Sequence, residues 1–243
     1  MACSQLTDLS TLTRHLLDTQ GAKRRLVAIA GAPGSGKSTF AAALAQSLNS
    51  ASTGSTRPLP TPAAPSGEAG PGPARARGAS NGIAGVLGMD GFHLDDRVLI
   101  GRGQRERKGA PYTFDTGGLA ATLARLRADD GSDIAVPVFD RDLEIARAGA
   151  CILKGELRLI IVEGNYLLLD DPAWRPLWRH WDVSVSLEVR REVLVQRLTR
   201  RWQSLGLTPG QVQAKLEGND LPNAELILSR SAKADFAVID TTS

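Results

Sequence analysis

Hydrophobic positions in this chain follow two alternating patterns. Short apolar runs at 26–30, 83–89, 157–162 and 236–239 predict strands, as do Val183, Val185 and Leu187; Arg158 is the one interruption in the third run. Between them, apolar residues recur at helical spacing: Leu119, Leu123 and Leu126, then Val189, Val193, Leu194 and Leu198. Residues 40–46 are a further helix-forming stretch. Leu6, Leu9, Leu12, Leu16 and Leu17 predict one face of an amphipathic helix packed beside the first strand. Strands that alternate with helices predict an α/β fold, a parallel sheet covered by helices on both faces. Ligands of such sheets sit beyond the carboxyl ends of the strands.

Residues about 50–82 break the pattern. They are mostly Ala, Gly, Ser, Thr and Pro, with Leu59 the only bulky apolar side chain before Ile83. Such a stretch cannot bury enough apolar surface to offset its ordering entropy. It reads as a flexible insertion in one domain spanning 1–243, and as a solvated linker rather than a partner site.

Composition narrows the function. A chain of 243 residues with 42% hydrophobic content suits one domain with a real core. The formal charge is +3, but +2 of it lies in 51–82, from Arg57, Arg75 and Arg77 against Glu68. The rest is nearly neutral and offers no broad basic field for a nucleic acid. Aromatic residues, at 5%, are too scarce for base-stacking platforms. Cys3 and Cys151 make no disulfide framework and suit a reducing compartment. No run has membrane-spanning length, and Asp8 and Asp18 interrupt any signal-like start. A cytoplasmic protein, monomer or homodimer, without membrane or nucleic-acid partners is the expectation.

The chemistry begins directly after the first strand. Gly31, Ala32, Pro33, Gly34, Ser35, Gly36, Lys37 and Ser38, with Thr39 leading into the helix, place a glycine-rich loop between strand and helix. That is the layout of a phosphate-binding loop. Glycines let backbone N–H groups turn inward around an anion, and the helix N-terminus adds partial positive charge. Lys37 is expected to reach the β- and γ-phosphates of ATP, and the Ser38 hydroxyl to ligate Mg²⁺.

Two more strands end in carboxylates. One leads into Met89-Asp90-Gly91-Phe92-His93, the other into Glu163-Gly164-Asn165. Phosphoryl transfer needs a metal site built from oxygen ligands and a group that orients the attacking hydroxyl. Asp90 and Glu163 are candidates to divide those tasks, both as metal ligands and as substrate contacts. The plain alternative is that each caps the next element. The glycine after each permits close approach of a ligand to the backbone. His93, three residues past Asp90, is a candidate substrate contact or an ordinary histidine.

Arg197, Arg200 and Arg201 share one helical face and form either a lid over the nucleotide, at about 190–210, or a solvated basic face. The segment 108–115 holds Tyr112 and ends at Asp115, a natural helix cap. With Arg102, Arg105 and Arg107 before it, this loop is placed to cover an acceptor site, and Phe139, Asp140 and Arg141 are placed to line the same pocket.

The ordered set MDGFH, KGAPYTFD, PVFD and VEGN, behind the phosphate loop, resembles the uridine kinase, phosphoribulokinase and type I bacterial pantothenate kinase family, and also a nucleoside kinase-like or fructokinase-like bacterial group. The resemblance implies a P-loop NTPase fold of the kinase type with a five-stranded parallel sheet, ATP and Mg²⁺ as cofactors, and an alcohol of a small metabolite as acceptor. It places Asp90 at the base position, Ser38 and Glu163 at magnesium-site positions and Arg201 at a lid arginine. It puts Asn219, Asp220 and Asn223 where the family often folds back near the adenine. The chain departs from the family's acceptor histidines, having Arg141 near one of those positions. An ATP-dependent phosphotransferase is the expected function. The alternative is a nucleotide-hydrolysing switch or chaperone ATPase, and the chain has no Asn-Lys-x-Asp motif for reading guanine.

Overall fold

A computed structural model describes residues 5–19, 21–52 and 82–240. The insertion expected at about 50–82 lies outside the described residues, apart from its two ends.

The chain runs β1 (Gln5–Leu6), α1 (Leu9–Asp18), β2 (Arg25–Gly31), α2 (Lys37–Ser52), β3 (Ala84–Gly88), α3 (Asp96–Gly101), α4 (Thr116–Ala128), β4 (Ile134–Asp140), β5 (Ile145–Leu153), β6 (Leu159–Gly164), β7 (Val183–Glu188), α5 (Arg191–Ser204), α6 (Pro209–Lys215), α7 (Leu221–Arg230) and β8 (Phe236–Ile239). Six strands pair in parallel in the order β1-β8-β7-β2-β6-β3. The sheet therefore has one strand more than the expected five. The extra one is the two-residue edge strand β1, too short to leave a periodic signal. Leu6 lies in that strand, 67% exposed, and not on the amphipathic helix. That helix begins only at Leu9 because the Asp8 side chain caps it, accepting from Thr11 N at 2.7 Å.

Alternation along β2 divides the core in two. Val27 and Ile29 face α1 and α2, packing with Leu12, Leu16, Leu44 and Leu48. Leu26, Ala28 and Ala30 face the opposite layer with α4 residues Leu119, Leu123 and Leu126 and the buried Tyr166 and Trp174. Helices thus cover both faces. No helix among the described residues is long and apolar enough to cross a membrane.

β4 and β5 form a separate antiparallel hairpin. Its register shifts between Val136 and Val138, on either side of Pro137, which has no N–H to give the ladder. The turn is held by Asp140, whose Oδ1 accepts from the backbone of Asp142 and Leu143, both at 3.2 Å.

Candidate active site

The phosphate loop follows from its glycines. Gly34 and Gly36 have φ of +81° and +83°, backbone that side chains rarely adopt. Ser35 N donates to Ala32 O at 3.0 Å, closing the turn, and α2 starts at Lys37. Ala32 and Ser35 are buried, whereas Gly36, Ser38 and Thr39 are exposed at the mouth of the cleft. The Ser35 hydroxyl is buried without a partner among the described residues.

Strand register brings the chemistry together. β6 lies between β2 and β3, with Glu163 level with Ile29 on one side and Gly88 on the other. Glu163 thus stands between the strand that leads into the phosphate loop and the strand that ends two residues before Asp90. The Ser38 hydroxyl is near enough to Glu163 to favour its ionised form. Lys37 feels the charge of both Glu163 and Asp90. Burial draws the Lys37 ammonium below its usual value, and the two carboxylates oppose that shift.

The two carboxylates are pushed apart. Burial drives Glu163 up, and Asp90 adds to the rise; Lys37, Ser38 and Arg141 only partly offset it, so Glu163 titrates above an ordinary carboxylate. Burial also drives Asp90 up, but His93, Arg141, Lys37 and Arg201 outweigh it and hold Asp90 below the usual range. Of these groups Arg141 is in direct contact, its Nη2 3.0 Å from Asp90 Oδ2. A pair of acids with opposed shifts is a mark of divided acid–base roles.

His93 is fixed from several sides. Its Nδ1 lies 2.7 Å from the Asp90 carbonyl, and its ring packs 4.0 Å from Phe114 and 4.7 Å from Phe139 between centroids. Burial lowers its pKa against the pull of Asp90, so the imidazole is neutral near pH 7. The Nδ1 proton is then the one donated to the carbonyl, leaving Nε2 as an acceptor.

The glycines after the two carboxylates do other work than expected. A Cβ on Gly91 would lie 2.5 Å from the Pro137 carbonyl oxygen, and one on Gly164 would run into the Met89 side chain. Both make room for protein, not for ligand.

The arginines separate. Arg201 is exposed, and its guanidinium feels the charges of Arg141, Asp220, Asp90 and Glu144. Arg197 is bonded to Asp240 at 2.5 Å, and Arg200 is exposed. Tyr112 also lies apart, half-exposed on a pocket of about 320 Å³ with Arg107, Trp174 and Asn223. Asn165 is next to the site, its Oδ1 buried with no partner among the described residues. Asn219 and Asn223 bond to the carbonyls of Lys108 and Gly109, so this stretch meets the 108–115 loop.

One feature beside the phosphate loop left no sequence signal. A cleft of about 760 Å³ opens beside Gly31 and Ala32, walled by Val189, Arg190, Ile227 and Asp240. Its walls come from the ends of β7 and β8 and from α7, which only the folded topology brings together.

No protein-family model matches the chain. A solved structure from Silicibacter sp. TM1040, titled "putative fructose transport system kinase", is 39% identical, superposes with a TM-score of 0.78, and is covered over 98% of its length by 95% of this chain. A Schizosaccharomyces pombe protein named "putative uridine kinase" is 26% identical over 89% of this chain and 83% of its own. An ATP-dependent kinase, YFH7 of Zygosaccharomyces rouxii, is 30% identical over 60% of this chain. The chain spans 48% of that yeast kinase and 62% of a bacterial relative 36% identical to it.

Proposed function

Because the chain belongs to the P-loop kinase family of the uridine kinases, phosphoribulokinases and type I pantothenate kinases, we propose that it transfers the γ-phosphate of ATP to a hydroxyl of a small metabolite. The observation that supports this reading best is the convergence of Asp90 and Glu163, from two different strands, on the phosphate-loop Lys37.

In this reading the loop N–H groups and Lys37 bind the phosphates. The donor set fits a hard cation shared with ATP: a hydroxyl and a carboxylate near each other, Ser38 and Glu163, beside the phosphate loop. Mg²⁺ bound there supplies charge neutralisation on the phosphate oxygens. Asp90, ionised and at the rim of the cleft, accepts the proton of the attacking hydroxyl and orients it. His93 Nε2 accepts a hydrogen bond from a second hydroxyl, and Arg201 offsets the charge that builds on the transferring group. The cleft beside Gly31 has apolar walls of a size to hold the nucleotide base. Most of the rate enhancement would come from positioning and fixed electrostatics.

The experiment is to incubate the full chain with Mg·ATP and pools of sugars, nucleosides and pantothenate, and to follow phosphorylated product by mass spectrometry. A product dependent on Asp90 is expected. ATP loss that ignores every acceptor would favour a hydrolytic switch instead.

A further inference from the structure

One built feature next to this site has no task in it. Leu216–Asp220 winds as a π-helix between α6 and α7. A π turn fits one more residue into the helix and is kept mostly where the widened turn aims side chains for function. This one holds partners on two sides. On the first, Asp220, 9% exposed, accepts the Trp202 indole N–H at 2.6 Å. The Arg201 guanidinium lies over that indole, 5.3 Å from the ring centroid, and the Lys215 ammonium stands 5.7 Å from the same ring. On the second, the Gly218 carbonyl accepts from Arg107, and Asn219 Nδ2 donates to the Lys108 carbonyl at 2.7 Å. Lys108 in turn donates from Nζ to the Glu144 carbonyl at 2.6 Å, in the hairpin turn that presents Arg141.

We propose that Asp220, acting through the Trp202 indole, is the positioning residue of Arg201, and that the π turn sets the lid arginine and the loop over the acceptor side as one unit. The proposal rests on the kinase reading above. An arginine on a solvated helix samples many rotamers. A ring fixed by a partly buried hydrogen bond gives it one face to lie against, and the carboxylate behind the ring adds a fixed attraction. Stacking leaves the guanidinium N–H groups free to point at phosphate oxygens, which a direct ion pair would not. On the same helix Arg197 is held instead by Asp240.

The test needs no known acceptor. Binding of Mg·ADP is measured by calorimetry on the full chain with and without aluminium fluoride, a planar mimic of the transferring phosphoryl group. Wild type is expected to gain affinity from the fluoride. Trp202→Phe keeps the ring and loses the N–H; it should lose about tenfold of that gain, with affinity for Mg·ADP alone unchanged. The double variant with Arg201→Gln should be no weaker than Arg201→Gln alone, because both changes remove one interaction. Asp220→Asn provides the same readout if the Phe variant misfolds. A Trp202→Phe variant that keeps the full gain, or losses that multiply in the double variant, would overturn the proposal. If Arg201→Gln loses the gain while Trp202→Phe and Asp220→Asn keep it, the positioning role alone fails. If wild type gains nothing, the phosphoryl-transfer reading fails and takes this proposal with it.

Discussion

Arg141 and Asp90, fifty-one positions apart, meet through a single contact of 3.0 Å between Nη2 and Oδ2. The contact crosses from the hairpin turn to the end of β3 and leaves the second carboxylate oxygen of Asp90 available for a hydroxyl. It also helps hold Asp90 below the ordinary carboxylate range, after burial and His93 have acted in opposite senses. Removing the cation therefore raises the Asp90 pKa, and the ionised form is lost at higher pH than before. Arg141→Gln should move the acidic limb of the rate–pH profile upward by about one unit. An unmoved limb would separate Arg141 from Asp90 in the working enzyme.

Asp90→Asn keeps the shape of the side chain and removes the group proposed as the base. Turnover should fall by ~10²-fold or more. Affinity for Mg·ATP should stay close to wild type, since Lys37 and the loop are untouched. Undiminished kcat would take Asp90 out of the mechanism.

Gly91→Ala should unseat the hairpin. The new Cβ would lie 2.5 Å from the Pro137 carbonyl, so backbone must move, at a cost of about 1–3 kcal/mol. A lower midpoint in urea, with activity lost at the same time, is the expected result. A variant as stable and active as wild type would show that hairpin and strand end are not in contact in solution.

Arg24 is a test of the scaffold away from the site. Its guanidinium is buried, donating to the carbonyls of Leu157, Leu126 and Gly155 at 3.0, 3.2 and 2.7 Å and pairing with Asp129 at 3.3 Å. It ties the end of α4 to the loop before β6. Arg24→Ala takes the guanidinium from those three carbonyls, while Asp129 keeps Arg158 and the backbone N–H of residue 24, and should cost about 3 kcal/mol in equilibrium unfolding. A loss under about 1 kcal/mol would mean that water replaces the guanidinium fully.

Much of this arrangement was readable before any coordinates. The phosphate loop announces itself because positive-φ glycines, a lysine and a hydroxyl must follow one another in order. Asp90 and Glu163 are visible because apolar runs stop at them. The hairpin was not visible as a hairpin. Most of β5 faces solvent, so its residues do not alternate, and Pro137 interrupts the strand opposite. The division among Arg197, Arg200 and Arg201 was hidden too. Helical spacing puts them on one face, but which of them meets Asp240 and which feels the charge of Asp90 depends on distant parts of the chain. The π turn has no sequence period of its own, and the contacts of Asp220 and Asn219 span long separations.

Among the described residues β4 and β5 pair as strands with each other and the parallel sheet closes without them, so the hairpin is a module laid on the sheet rather than a part of its ladder. Exchanging 134–153 between relatives would keep the parallel sheet whole, but it would carry Arg141, and with it the contact that steadies Asp90, into the new chain.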